Sequence, residues 1–253
     1  MIMRKALALP LVSILSLIIL WELSVDYFDV PKFLLPAPSL ILCALIDNQE
    51  LFLQSTINTL TITISALLAA LFSGIFLALC FSLSRTFEAA FYPLAVILQV
   101  TPIVAVAPLV LIWVGIDNVN RALIIIAWLA AFFPILSNMS AGLKSVDRTL
   151  NDLFKLYGAS NWQRFHLLLW PTAMPYLLAS LKVSGGLALI GTVVAEFVAG
   201  SGGAQGLAWR ILEAGNRLQT EKMFAGLLLL AIIGMIIFYA FSLLEYRLLK
   251  YRR

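Results

Sequence analysis

Charge is what this chain has least of. Only 12% of its 253 residues are Asp, Glu, Lys or Arg, about half the share found in soluble globular domains. With 62% hydrophobic residues and a mean hydropathy of +1.00, that scarcity excludes a soluble globular domain and places the chain in a membrane. Cysteine is nearly absent: Cys43 and Cys80 stand far apart, without a CxxC or a metal-ligand spacing, and read as small apolar filler. The single histidine, His166, has no carboxylate or cysteine at ligand spacing, so no metal site or histidine-based acid–base centre is expected. Paired carboxylates and an activated nucleophile are also missing, which argues against an integral membrane enzyme. A net charge of +4 and a pI near 9.2 do not point to nucleic acid, because the basic residues flank apolar runs and form no continuous patch.

What the chain has is apolar runs long enough to cross a bilayer, which takes about 20 helical residues. Residues 51–84, 89–116, 122–143 and 223–244 contain no charge. The start, with Arg4 and Lys5 before an apolar stretch reaching Val25, has no small-residue cleavage site near 24–30 and reads as an uncleaved first span. A further run, 176–200, is interrupted by Lys182 and Glu196. Helical rise puts these about 10 and about 32 Å from Pro175, where both can snorkel to an interface. The expected architecture is an all-α integral membrane protein, one domain over 1–253, with six spans near 6–25, 56–82, 91–115, 122–141, 176–199 and 223–245. Placing both termini in the cytoplasm puts twelve of the seventeen Lys and Arg residues inside.

Several segments carry polar detail. The external stretch 26–55 holds Asp26, Asp29, Asp47 and Glu50 against Lys32, as a docking surface or a solvated loop, and Ser39 is expected to cap a helix over 40–46. The second span is rich in hydroxyls (Thr56, Thr59, Thr61, Thr63, Ser65), which line a polar path or bond back to their own helix. Pro93, Pro102 and Pro108, with Gln99 and Thr101, imply a kinked third span in the protein interior beside a pathway, or a purely architectural kink. In the fifth span Ser184, Ala188 and Thr192, and Gly191, Ala195 and Ala199, form small-residue rows flanked by Gly185 and Gly186. Such rows suit a dimer seam, a gate or packing within the chain. Glu196 stands where substrate would meet the outer mouth, and a structural hydrogen bond accounts for it equally. The Gly-rich stretch 200–206 lacks the lysine of a phosphate loop and reads as an external turn.

The longest polar interruption, 141–175, faces the cytoplasm in this topology. Ser160 followed by Gln163 fits a capping box opening a helix that runs from Asn161 towards Leu169, and Gly158 closes a preceding helix over 152–157. Pro171 and Pro175 are expected to end the second helix and set the entry of the fifth span. Trp162, Phe165 and Leu169 form an apolar stripe beside Arg164 and His166, suited to lipid or to a groove on a soluble protein.

In this stretch the chain resembles the permease subunits of binding-protein-dependent ABC importers. Their loop carries Glu-Ala-Ala, three residues, Gly, nine residues, Ile-x-Leu-Pro. Here those positions are Asp152, Leu153, Phe154, Gly158, Leu168, Trp170 and Pro171. Gly158 and Pro171 match, Asp152 and Leu168 are conservative departures, and Leu153, Phe154 and Trp170 differ more. Leu35-Pro36-Ala37-Pro38-Ser39, Pro108-Leu109, Trp113-Val114-Gly115-Ile116, Phe133-Pro134-Ile135, Gly142-Leu143-Lys144-Ser145-Val146-Asp147, Gly158-Ala159-Ser160 and Val194-Ala195-Glu196 are similar to the nitrate, sulfonate and taurine branch.

The resemblance implies a type I importer permease fold in the bacterial cytoplasmic (inner) membrane. Its implied partners are a second permease copy, likewise embedded in lipid, two cytoplasmic ATPase subunits and an external substrate-binding protein. The ATPase contacts would be Asp152, Leu153, Phe154, Gly158, Ala159, Ser160, Trp162, Phe165, Leu168 and Pro171. Pathway or gate candidates are Gln99, Thr101, Pro102, Ser184, Gly185, Gly186, Thr192 and Glu196. No phosphate-loop signature and no polar segment of nucleotide-binding-domain size occur, so ATP and Mg are expected on a separate chain and no cofactor on this one. The alternative, a self-powered secondary transporter, predicts an inverted repeat and a midplane ionisable residue, and neither is visible in the sequence.

Overall fold

The computed structural model describes residues 2–199 and 205–250. Among these, every regular element is helical: α1 (Ile2–Tyr27), α2 (Pro38–Asp47), α3 (Gln49–Leu83), α4 (Arg85–Val100), α5 (Ile103–Val114), α6 (Val119–Lys144), α7 (Arg148–Leu156), α8 (Asn161–Ala199), α9 (Leu207–Asn216) and α10 (Thr220–Leu249). Four of them, α3, α6, α8 and α10, are long and apolar enough to cross a membrane, and α4 with α5 forms a bent pair that would make a fifth. The first expected span falls inside the 26-residue α1. Of the expected turn at 200–206, residues 200–204 lie outside the described residues.

Contacts divide the chain into two compact units, Met1–Ile57 with Gln205–Ala231, and Asn58–Ala204 with Ile232–Arg253. The first unit is fastened by polar contacts between segments distant in sequence. Ser39 was expected to cap α2. The cap is instead Ala37, followed by Pro38 at the first helical position, where its missing N–H costs nothing. Ser39 sits inside the helix and donates its N–H (3.0 Å) and Oγ–H (2.6 Å) to Glu22 of α1. Thr220 Oγ1 donates to the Phe33 carbonyl at 2.9 Å, and Trp21 packs on Phe224 with ring centroids 6.0 Å apart. On α9, Glu213 accepts from Arg210 (2.8 Å) and Arg217 (2.9 Å).

The second unit is built on the pairing of α6 with α8. Ala131, Ile135, Leu136 and Met139 of α6 and Ala173 and Ala188 of α8 are fully buried. Small residues bring the two backbones together: a Cβ on Gly191 would sit 2.8 Å from Ala127 Cα, and Ser184 Oγ donates to the Ala131 carbonyl at 2.9 Å. With lipid as apolar as a leucine side chain, close packing and hydrogen bonds of this kind hold membrane helices together.

Three expectations are corrected in this unit. The third span is not one kinked helix: α4 ends at Val100, Thr101 and Pro102 are extended, and α5 departs at 102°. Pro102 has no N–H to continue the ladder and disfavours helical backbone at Thr101, so a break replaces the kink. Nor does that break sit in the interior of the chain, since Gln99 and Pro102 are exposed.

The second correction concerns Pro171, which does not end a helix. Residues 161–199 form one continuous helix, in which Phe165–Leu169 is a π turn and the Trp170 N–H bonds to the Phe165 carbonyl. In an α-helix the Pro171 ring would strike the carbonyl four residues back, and the widened turn accommodates it. The third concerns charge. Glu196 does not snorkel and is fully buried, while Lys182 is half-buried and ion-paired with Glu245.

Candidate functional site

The polar interruption folds into a capped helix pair. Asp147 accepts from the Thr149 N–H at 2.7 Å and starts α7 at Arg148, one turn earlier than the sequence suggested. At the other end Gly158 has φ +65°, the Ala159 N–H reaches the Phe154 carbonyl at 3.0 Å, and the Gly158 N–H reaches that of Lys155 at 3.0 Å. This pair of bonds is a Schellman motif, which satisfies the last carbonyls of α7. Ser160 then opens α8 with both arms of a capping box: its N–H donates to Gln163 Oε1 at 2.8 Å, and its Oγ accepts from the Gln163 N–H at 3.2 Å. Both turns therefore have defined geometry.

No residue of α7 is buried. Leu150 and Leu153 are each 46% exposed, Leu156 84% and Tyr157 80%. At spacings of three and four these residues share one helical face. An apolar ridge on a short, well-capped helix is a surface built to be covered. Asp152 is on the same helix, paired with Lys155 at 3.1 Å in solvent.

On α8, the ring of Trp162 (68% exposed) packs at a tilt 4.9 Å from that of His166 and 6.0 Å from that of Phe165, and Phe165 lies 5.9 Å from Trp170. The expected stripe of Trp162, Phe165 and Leu169 is divided. Trp162 faces out, Leu168 is buried, and Phe165 and Leu169 are half-buried. The π turn inserts one surplus residue between the two ends of the stripe, so helical counting goes out of phase. The candidate contacts thus fall into an outward group (Asp152, Leu153, Gly158, Ser160, Trp162), a half-buried group (Phe154, Ala159, Phe165, Pro171) and Leu168 inside.

A second polar feature joins α3 to α8. Thr59 Oγ1 donates to Glu196 Oε1 at 2.8 Å. Thr63 Oγ1 lies 2.8 Å from the Thr59 carbonyl and 3.0 Å from Thr192 Oγ1, which donates to the Ala188 carbonyl at 2.9 Å. All four side chains are fully buried. A carboxyl group out of water is expensive unless it is hydrogen-bonded, and the hydroxyl supplies part of what water would. Of the readings of the threonine-rich span, bonding back to its own helix is met at Thr63, and Thr59 and Thr63 also bond across to α8. The missed signal was the matched spacing: Thr59 and Thr63, like Thr192 and Glu196, are four residues apart on their helices.

The pathway candidates do not share one surface of this chain. Gln99 and Pro102 are exposed at the α4–α5 break, where Thr101 Oγ1 donates to the Ile97 carbonyl at 2.7 Å. Ser184, Gly185, Thr192 and Glu196 are buried in helix contacts, and a Cβ on Gly185 would come within 2.6 Å of Ile237 on α10. A Cβ on Gly186 meets open space.

Fold and site together define a multi-pass membrane protein with an exposed, capped helix between two of its spans. The chain belongs to the family of inner membrane components of binding-protein-dependent transport systems, whose family pattern matches residues 70–250. It is 32% identical to the formylaminopyrimidine transport permease protein of Halalkalibacterium halodurans over 245 residues, 96% of each chain. It is also 32% identical to a putative aliphatic sulfonates transport permease protein of Bacillus subtilis, covering 98% of this chain and 87% of that one. With the taurine transport system permease protein of Escherichia coli it shares 30% identity over 90% of this chain and 83% of that one. A crystal structure of an amino acid ABC transporter has the same fold, with a TM-score of 0.65, 18% identity and coverage of 83% of this chain and 98% of that chain. These relatives are permeases, the transport subunits of ABC importers, and not enzymes.

Proposed function

We propose that this chain forms the translocation pathway of an ATP-driven importer for a small polar solute and couples it to a separate ATPase through residues 152–171. The observation that carries the reading is the apolar ridge of α7. Leu150, Leu153, Leu156 and Tyr157 are exposed on a helix capped at both ends and joined by a fixed glycine turn to a helix that continues into the membrane. A partner gripping that ridge pushes on α8 through a short connection with defined geometry. The pathway is assigned to two copies of the chain, six spans each, with α1 as the first and both termini in the cytoplasm. ATP and Mg belong to the partner, and an external binding protein delivers the solute.

Formylaminopyrimidine, aliphatic sulfonates and taurine in the relatives' names make a sulfonate or a small heterocycle such as a pyrimidine precursor the substrate class to test first, with nitrate beside them. Co-purification with the partner ATPase of the same importer tests the coupling. The double variant L150D/L153D is expected to lose the ATPase while still inserting and folding, and retention would refute the assignment. Uptake by vesicles that contain this chain and no ATPase would instead establish a secondary transporter.

A further inference from the structure

Where α3 passes into α4, beside the end of α6 and the starts of α7 and α8, the second unit has an open cavity of about 730 Å³. Arg85, Arg148, Arg164 and Lys144 line it, together with a single carboxylate, Glu88. Glu88 is already ion-paired with Lys144. Among the described residues, the three arginine side chains enter no ion pair and no side-chain hydrogen bond. The Arg164 Nε–H is buried and has no acceptor.

These arginines do not make up the charged face of one helix. Arg85 opens α4, Arg148 opens α7 and Arg164 lies just before the π turn of α8, so three elements converge on one space. Like charges brought together without counter-charge repel, and each guanidinium offers a fork of donors that matches a phosphate. The rest of the cavity lining is mostly apolar and includes Phe81, Tyr92 and Leu143. Leu83, at the end of α3, is 86% exposed, and on α4 Phe91 and Leu94 are 44% and 53% exposed. A ligand suited to this lining has a phosphate at one end and hydrocarbon at the other. Basic pockets between membrane helices take the headgroups of anionic lipids for this reason.

We propose that this cavity binds the headgroup of an anionic phospholipid, with Arg85, Arg148 and Arg164 holding the phosphate and the acyl chains leaving past Leu83, Phe91 and Leu94. The lipid would then join the first residue of α7 to the end of α3 and the start of α8, at a place none of the relatives' names describes.

The test uses the full chain purified in neutral detergent and titrated, in native mass spectrometry, with phosphatidylglycerol or with phosphatidylcholine of the same acyl chains. Phosphatidylglycerol should be retained about tenfold more strongly, from about a fivefold gain for each guanidinium near an anionic headgroup less the screening at an open site. The variant R148Q/R164Q should lose most of that preference and R148K/R164K should keep most of it, while K32Q/R121Q, with the same charge removed elsewhere, should leave it unchanged. Equal retention of the two lipids by the natural chain, or a preference that survives in R148Q/R164Q, overturns the site. Displacement of the lipid by millimolar inorganic phosphate makes a free anion the occupant, and displacement by added ATPase makes the cavity a protein-docking surface. Either result overturns the lipid assignment. Because the assay reads binding to the chain alone, a negative result leaves the ATPase coupling standing, and a failed ATPase pull-down leaves the lipid site standing.

Discussion

The hydroxyl of Thr59 donates 2.8 Å to the carboxyl group of Glu196, which lies 137 residues further along the chain in a fully buried site. This bond ties α3 to the last described turn of α8, on the helix that begins at the capping box. Removing the hydroxyl takes one hydrogen bond from a carboxyl group held away from water. Thr59→Val should therefore lower stability by about 1–3 kcal/mol, read as a fall in the midpoint of thermal unfolding in detergent. In a cycle with Glu196→Gln the two losses should not add, because the residues are in contact. Strict additivity would show that the bond carries no stability.

Gly158 is held at φ +65° with open space where a side chain would go. A bulky residue there has room but the wrong backbone preference, a strain of about 1–3 kcal/mol. Gly158→Val is expected to insert normally and to lose uptake, with Gly158→Asn retaining part of it because asparagine tolerates left-handed backbone. Normal uptake with valine would show that the turn need not keep its shape.

Two glycines of α8 should respond in opposite ways to the same substitution. Gly191→Ala drives a methyl group to within 2.8 Å of Ala127 Cα and 2.9 Å of Ala130 Cβ, forcing α6 and α8 apart at a cost of about 1–3 kcal/mol. Gly186→Ala meets nothing within 4 Å and should gain about 0.4–1 kcal/mol by restricting the unfolded chain. Unfolding midpoints of the two variants, measured side by side, give the comparison.

The features legible in the sequence were those whose cause is local. The Ser160–Gln163 box and the Gly158 turn each need only neighbours within a few residues, and both occur where the spacing put them. Pro102 signalled an interruption equally well, but its 102° angle depends on what packs around α4 and α5. Glu196 looked like a charge near an interface because its partner Thr59 is on another helix, and the four-residue spacing shared by the two helices does not by itself say which faces meet. Pro171 misled for a related reason: proline stops an α-helix, and the π turn before it lets this one continue. The arginines of the cavity are scattered over three elements and converge only in three dimensions.

Trp162 is 68% exposed yet packed at a tilt on His166 at 4.9 Å, so it contributes surface more than core. Trp162→Ala should leave the unfolding free energy within about 0.5 kcal/mol of the natural chain, as surface changes usually do. Its affinity for the ATPase should fall by about 2 kcal/mol or more if the indole anchors the contact. Unchanged affinity in a titration of the purified partners would remove Trp162 from the interface.

The π turn at Phe165–Leu169 gives α8 one residue of slack. Were that residue taken up into ordinary α-helix, everything from Ser160 to Arg164 would swing about 100° around the helix axis and advance about 1.5 Å relative to the membrane segment. The helix thus contains a crank five residues long, set between the exposed Trp162 and Pro171.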